Sequence, residues 1–388
     1  MELIKPGILI DFMRYRRTAV IGSLIAVAVS FFAILVYPGP KLGIDFAGGT
    51  EVQLAFKGDV DAAELRETLL ELGYDQPSVI NVEGSPNEYM IRLSEVSPLS
   101  DEQQAAIRER LTAEVTAEQL THFKFSPGGD KITFALVDER DIDELGRILA
   151  EAGANVRTLD HFSGFDDHRY EAHLVGIGDE LITRLRDSFG ERGPDAPLRV
   201  EWVGPRAGEQ LRDSAIMSLL YSIAFIMVYV AFRFDLRYAP GAIVGFFHDV
   251  FITFGIYVIF QREVSLTTVA ALLTVLAYSI NDTIVIYDRI RENASKFRDK
   301  SMSELINLST SQVLSRTIIT SSTTILAVIP FFYWGTTTIQ DIAFTLAFGI
   351  VIGSYSSIFI SAPVTELIDR RFFQKPAEAK AEAKSATA

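Results

Sequence analysis

Cysteine is absent from this 388-residue chain, and histidine and tryptophan are scarce, with five and two copies. Without cysteine the chain has neither disulfides nor thiolate metal ligands. Acidic residues outnumber basic ones, and the formal net charge of −14 argues against nucleic acid as a partner. The sequence also lacks Ser-His-Asp, HExxH and Cys-His arrangements. We therefore expect neither an enzyme nor an organic cofactor.

Long apolar runs are what the sequence has in abundance. A helix needs about 20 apolar residues to cross a bilayer, and six windows qualify, at 18–37, 214–232, 241–260, 265–287, 316–334 and 341–362. The first window is too long for a signal peptide and lacks an A-x-A-like cleavage site, so we predict an uncleaved anchor. The fold class is then a polytopic α-helical membrane protein with six spans.

Basic residues in the short loops predict the orientation, because such residues accumulate on the cytoplasmic side. They cluster before the first span, between the second and third, between the fourth and fifth, and after the sixth. We therefore expect a cytoplasmic N-terminal segment (1–17), a cytoplasmic loop (288–315), a cytoplasmic tail (363–388) and a large outer domain (38–213). The end of the tail, 375–388, is rich in Ala, Lys and Glu and is expected to be disordered or a fraying helix.

The outer domain has alternating strand-like and helical segments. The order β-α-β-β-α-β, typical of a ferredoxin-like sandwich, fits residues 45–125 and then residues 131–203. In the first round the strand-like segment begins at Asp45, and in both rounds the helices are amphipathic. The sequence thus predicts two tandem ferredoxin-like units.

Asp282 is the most informative residue, because it is the only charge in the apolar run 266–287. An ionisable group inside a span costs several kcal/mol unless it is paired or hydrated, and it usually serves ion or proton movement. Helical spacing places Tyr278 and Asn281 near the same stripe. With Asp288 at the membrane surface, Asp282 lies about 9 Å deep.

Arg316 lies at a matching depth, about 7–8 Å, near the start of the fifth span, and Thr320 continues its helix face. One explanation is a structural salt bridge, or an arginine that extends to the surface while the aspartate caps a kink. The other is a switchable proton site, in which burial disfavours the charged carboxylate and a nearby guanidinium favours it. A charge that crosses the membrane potential gains roughly 2.3 kcal/mol per 100 mV.

His248 and Asp249 form a second polar insertion, in the middle of the third span. Histidine titrates near neutrality, so a proton route is one interpretation, and packing or loop anchoring is the other. Adjacent helical residues point about 100° apart, so we expect the two side chains not to face the same partner.

Small residues recur every four positions in the sixth span, at Gly349, Gly353 and Ser357, and predict close helix packing. The outer segment His161–His173 holds three histidines and several acids. On a strand, His168 and His173 face opposite sides, whereas His161 and His168 could oppose each other across a hairpin. Two nitrogen ligands are too few, and we expect no metal site.

Several motifs together resemble the SecF family, whose members are subunits of the bacterial Sec protein-export machinery. The segments that carry the resemblance are GIDFAGGT (43–50), VEWVGPRAGEQLR (200–212), FFHDVFITFG (246–255), AYSINDTIVIYDRIREN (277–293), LSRTIITSSTT (314–324) and SYSSIFISAP (354–363). The motif residues to which we assign structural roles are Gly43, Asp45, Gly48, Gly49, Gly204 and Pro205.

The resemblance implies an RND-type accessory subunit of the bacterial inner membrane that uses the proton gradient to assist polypeptide export. It implies proton-coupling roles for the residues at the positions of Asp282 and Arg316. The implied partners are SecD, the SecYEG channel, YajC- and YidC-type subunits, translocating polypeptide and membrane lipid. A family member usually has one ferredoxin-like outer domain, so the resemblance marks residues of about 120–197 as an insertion that adds an extra unit.

Two other functions remain open from the sequence. A proton-driven exporter of lipids or small molecules could use the same architecture, and a membrane-tethered scaffold could use the outer domain only for docking. The exporter predicts an apolar pocket in the outer domain, and translocation predicts an open surface or cleft.

Overall fold

The computed structural model describes residues 8–373, apart from 76, 83–84, 86, 95–98, 100, 116–119, 127–128, 164–167 and 235–236. The predicted tail segment 375–388 lies outside these residues. The chain divides into two units, a membrane unit (1–42 and 213–388) and an outer unit (43–212).

The helices, in chain order, are α1 (Arg16–Leu35), α2 (Ile44–Ala47), α3 (Ala62–Glu71), α4 (Asp101–Val115), α5 (Ile142–Glu151), α6 (Ile177–Phe189), α7 (Pro205–Arg233), α8 (Ala239–Ile259), α9 (Leu266–Lys296), α10 (Met302–Trp334), α11 (Thr337–Ser356) and α12 (Ala362–Ile368). The strands are β1 (Lys41–Leu42), β2 (Gly49–Phe56), β3 (Ser78–Asn81), β4 (Glu88–Leu93), β5 (Leu120–Phe125), β6 (Lys131–Leu136), β7 (Val156–Ser163), β8 (His168–Leu174), β9 (Pro194–Val203) and β10 (Glu263–Val264).

The six predicted spans are confirmed as helices long and apolar enough to cross a membrane. α10 begins at Met302, within the loop predicted at 288–315, and continues without a break into the fifth span. A capping box is present at its start, because Ser301 and Glu304 bond each other's backbone N–H. The sixth span also extends further than predicted, since π-helical turns connect α11 to α12 and continue to Phe373.

The outer unit contains two four-stranded antiparallel sheets, with strand orders β3-β4-β2-β9 and β5-β6-β8-β7. In the first sheet α3 connects β2 to β3 and α6 leads into β9, which is a ferredoxin-like arrangement. The second sheet has the same arrangement with its last helix and strand, α4 and β5, placed first in the chain. The prediction of two ferredoxin-like units is therefore confirmed.

The two units do not follow one another along the chain as predicted, because one unit is inserted into the other. The extra unit is 101–174 rather than about 120–197, because α4 and β5 join the second sheet while α6 and β9 return to complete the first. The two apolar cores show which helix belongs to which sheet. Ile107 and Leu111 of α4 pack with β6, and Leu181 and Leu185 of α6 pack with β2.

The glycine motif at the start of the outer unit forms a turn rather than the predicted strand. Gly43 precedes the short helix α2, in which Asp45 lies, and β2 begins only at Gly49. Gly48 and Gly49 both have positive φ, at 76° and 120°, which L-residues rarely adopt. A Cβ at Gly49 would also lie 2.4 Å from the Leu93 carbonyl oxygen, so this position requires glycine.

We predict that Gly49→Ala destabilises the outer unit by about 2–4 kcal/mol, because the added methyl meets backbone and strains φ. Urea unfolding of the full chain in detergent micelles measures the effect, through Trp202 fluorescence in a Trp334→Phe background. Gly146→Ala is the control, since that helical glycine has open space around it and alanine favours helix. Equal unfolding midpoints for Gly49→Ala and the parent would contradict the prediction.

Candidate functional site

A polar cavity of about 240 Å³ lies between α9, α10 and α11, within the spanning helices. It brings together four of the predicted site residues, Tyr278, Asn281 and Asp282 from α9 and Thr320 from α10. The residues expected to share one stripe of α9 therefore line the same cavity, and α10 lines its opposite side. The remaining polar lining consists of hydroxyl side chains, on Ser279, Ser321, Thr323, Thr324 and Ser354.

Asp282 is buried, with 7% of its surface exposed. Its carboxylate Oδ2 accepts a hydrogen bond of 3.1 Å from the Ser354 hydroxyl of α11. Ser354 in turn lies 2.7 Å from the Ser321 hydroxyl of α10. Three oxygens thus connect three spanning helices around one acid.

Arg316 is exposed on α10 and lies within electrostatic range of the Asp282 carboxylate. Within the described residues the two groups form no ion pair at 4.0 Å or less. Thr320, one turn along α10, donates its hydroxyl to the Arg316 carbonyl at 3.0 Å. The structural salt bridge considered from the sequence is therefore not formed in this state.

His248 and Asp249 lie apart from the cavity, in the core between α8, α9 and α11. Asp249 is completely buried, and its Oδ2 accepts hydrogen bonds from the hydroxyls of Ser279 and Ser356, the latter at 2.8 Å. Its Oδ1 lies 2.9 Å from His248 Nδ1. The two neighbours thus contact each other although they point about 100° apart on the helix, and their other contacts differ, since His248 stacks on Tyr355 whereas Asp249 bonds the two serines.

Serines of α9, α10 and α11 are the site residues that the sequence analysis missed. Ser279, Ser321, Ser354 and Ser356 each bond a buried carboxylate or another hydroxyl in the bundle. Serines in helices often bond their own backbone, so a serine in a span does not by itself predict a partner on another helix. The clustering of serines in the sixth span was the sequence feature that could have indicated such partners.

The predicted small-residue ridge of α11 packs against α9. A Cβ at Gly349 would come within 2.3 Å of Val275, and one at Gly353 within 2.9 Å of Ser279. Ser357 places its hydroxyl 2.8 Å from that of Thr283. Close approach of the two helices lets the short serine side chains of α11 reach the acids.

The histidines of the outer unit are arranged as the hairpin argument anticipated. His161 Nε2 lies 3.2 Å from His168 Nδ1, and His161 stacks on Tyr170. In the part of the chain that the structure describes, no group of three or more His, Cys, Asp or Glu side chains is placed to hold a metal ion.

Two family models match this sequence. The one for the C-terminal part of the protein export membrane proteins SecD and SecF matches residues 190–371, and the SecD/SecF GG motif matches residues 34–60. The GG-motif match covers the turn at Gly48 and Gly49, and the C-terminal match covers the polar cavity with Asp282 and Asp249.

Proteins similar over nearly the whole length are SecF subunits. A protein translocase subunit SecF from Magnetococcus marinus is 33% identical over 374 residues, which is 96% of each chain. One from Vibrio alginolyticus is 31% identical over 93% of this chain and 90% of its own. These matches confirm the resemblance drawn from the motifs.

A solved structure with the same fold is the translocon-associated membrane protein SecDF from Thermus thermophilus. It matches 96% of this chain with a TM-score of 0.65 and 29% identity. The present chain spans only 40% of that protein.

The extra outer unit is not peculiar to this chain. The match to the Magnetococcus marinus protein covers 96% of both chains and so includes the extra unit, whereas a SecF from Rickettsia typhi aligns over only 65% of this chain.

We predict that Asp249→Ala lowers the free energy of unfolding by about 3 kcal/mol or more, because two hydroxyls and an imidazole lose their buried acceptor. Asp249→Asn keeps one acceptor oxygen and should lower the free energy of unfolding by less. Thermal unfolding in detergent measures both. Ser218→Ala is the control, since that hydroxyl bonds only its own helix. An Asp249→Ala midpoint equal to the control's would refute the prediction.

Proposed function

The chain belongs to the SecF family of protein translocase subunits, and we propose that it is an accessory subunit that uses the proton gradient to assist polypeptide export. It would act in the bacterial inner membrane together with SecD. The family membership supports the role in translocation. The proton step is supported by the site geometry.

The observation that carries the proton step is the position of Asp282. It is an acid inside a spanning helix that borders a polar cavity and has a serine as its hydrogen-bond partner. An acid held this way can take and release a proton, because water in the cavity can deliver one and the hydroxyl accommodates both forms. Each transfer changes the charge inside the bundle by one unit.

Arg316 is proposed to respond to that change. Its guanidinium is near Asp282 without being bound to it, so it is attracted to the ionised acid and released by the protonated one. A charge that moves in the membrane field gains about 2.3 kcal/mol per 100 mV, which is enough for a few protons to drive a helix movement.

His248 and Asp249 are proposed as a second proton-holding group of the same machinery. Ser279 supports this assignment, because it lines the Asp282 cavity and also donates to Asp249. Protons can pass along such hydroxyl and imidazole groups. The competing role, an anchor between α8, α9 and α11, uses the same contacts.

SecD is the proposed partner on the exposed side of the cavity. Tyr278 is 40% exposed, and Asn281, Arg316 and Thr320 are exposed as well, on spanning helices. Polar side chains at this depth are unfavourable against lipid. A second six-span chain that covers α9 and α10 would remove that cost, and the SecDF structures, of which this chain matches 40%, fit such a partner.

The remaining partners and the orientation follow from the family and from charge. We propose that both ends of the chain face the cytoplasm, where Arg233 and Asp288 pair at 3.1 Å, and that the acidic outer unit faces the periplasm. There it would contact the translocating polypeptide, beside the SecYEG channel and YajC- or YidC-type subunits. The relatives favour this function over a lipid or small-molecule exporter.

We predict that Asp282→Asn reduces the gradient-dependent part of export at least tenfold, because the amide cannot exchange a proton. Arg316→Lys should reduce it by a similar factor, since the shorter ammonium group changes both reach and geometry. The assay follows a presecretory protein imported into energised inverted membrane vesicles.

Asp288→Asn is the matched control for this experiment. It removes an aspartate from the same helix, but one that is half-buried and paired with Arg233, and export should stay within about twofold of the parent. If Asp282→Asn retained full gradient-dependent export, proton use at this residue would be excluded.

A further inference from the structure

Beyond the proton site itself, two serines in separate helices connect the acid to the helix that carries Arg316. Ser354 of α11 donates to Asp282, and its oxygen lies 2.7 Å from that of Ser321 in α10, with either serine able to be the donor. Both serines are half-buried and line the cavity. Ser321 lies five residues after Arg316 on α10.

A serine hydroxyl can donate one hydrogen bond and accept two. When Asp282 is ionised, it can only accept, so Ser354 donates to Asp282 and Ser321 donates to Ser354. When Asp282 is protonated, its O–H can donate to Ser354, and Ser354 then donates to Ser321. All three oxygens keep their contacts, and only the direction of each hydrogen bond reverses.

We propose that Ser354 and Ser321 are positioning residues that transmit the protonation state of Asp282 to α10. The ionised acid requires Ser321 to be a donor toward α11, whereas the protonated acid makes Ser321 an acceptor whose own hydrogen turns to cavity water. The helix that carries Arg316 therefore has a different hydrogen-bonding role in each state. This inference rests on the proposed function, because it presupposes that Asp282 exchanges a proton.

The groups around the pair leave few competitors for this role. The ionisable side chains that face it are Asp282 and Tyr278 from α9, with Arg316 from α10 in electrostatic range. Asp249 of α8 is held by Ser356, two residues beyond Ser354, on another face of α11. Ser354 gives the one side-chain hydrogen bond to Asp282 within the described part of the chain.

The test uses Ser354→Ala and Ser321→Ala in the full chain with its partner subunit, in energised vesicles. Ser354→Ala removes a donor to the carboxylate, so the protonated form persists to higher pH. The pH of half-maximal gradient-driven export should rise by about one unit, and the rate should fall about five- to tenfold. Ser354→Thr keeps the hydroxyl and should behave as the parent does.

The double variant tests the link between the helices. If the hydroxyls act as one chain, Ser354→Ala with Ser321→Ala is no slower than Ser354→Ala alone. Ser357→Ala is the matched control, because it deletes a buried hydroxyl directly after α11 that bonds Thr283 rather than an acid. Its pH profile should coincide with that of the parent.

A spectroscopic measurement separates this inference from the proposed function. The C=O stretch of protonated Asp282, assigned by its loss in Asp282→Asn, should shift to higher wavenumber in Ser354→Ala. If the band is present but Ser354→Ala changes neither it nor the pH profile, or if the two serine effects multiply, the inference is overturned while the proton site stands. If no such band exists and Asp282→Asn exports normally, the proposed function itself fails.

Discussion

A carboxylate inside an apolar helix bundle needs polar partners from neighbouring helices, because lipid offers none. This constraint shapes the membrane unit at both of its central acids. Asp282 is bonded by a hydroxyl of α11, and Asp249 by hydroxyls of α9 and α11. Such short side chains reach only when the helices approach closely, which Gly349 and Gly353 permit. The small-residue ridge and the buried acids therefore depend on each other.

The same constraint applies to the exposed polar residues of α9 and α10 beside the cavity, which favour a protein neighbour over lipid. Asp282 and Asp249 both accept hydrogen bonds from hydroxyls within the bundle. The cavity beside Asp282, however, is also lined by exposed polar residues of α9 and α10. Arg316, which forms no ion pair with any residue that the structure describes, is costly on that face against lipid and less costly against a protein surface. This chain matches 40% of the length of the SecDF structure, so that protein has a further portion besides the part that resembles this chain.

The outer unit shows how an extra unit can be added without disturbing the first. The segment 101–174 enters between β4 and α6, so the strands that begin and end the first sheet, β2 and β9, keep their pairing. Each sheet buries its own two helices in a separate apolar core. An insertion of this kind leaves the chain connections to the spans unchanged.

The sequence by itself determined the six spans, most strands and helices of the outer unit, and the isolated charge of Asp282 inside a span, because hydropathy, periodicity and an isolated charge are local properties. Helical spacing also placed Tyr278 and Asn281 beside that acid. Only the tertiary structure decided which helix completes which sheet, since α4 and α6 are both amphipathic and either could cover either core. It also decided that Ser354 rather than Arg316 bonds Asp282, because partners across helices depend on packing distances that no local pattern encodes.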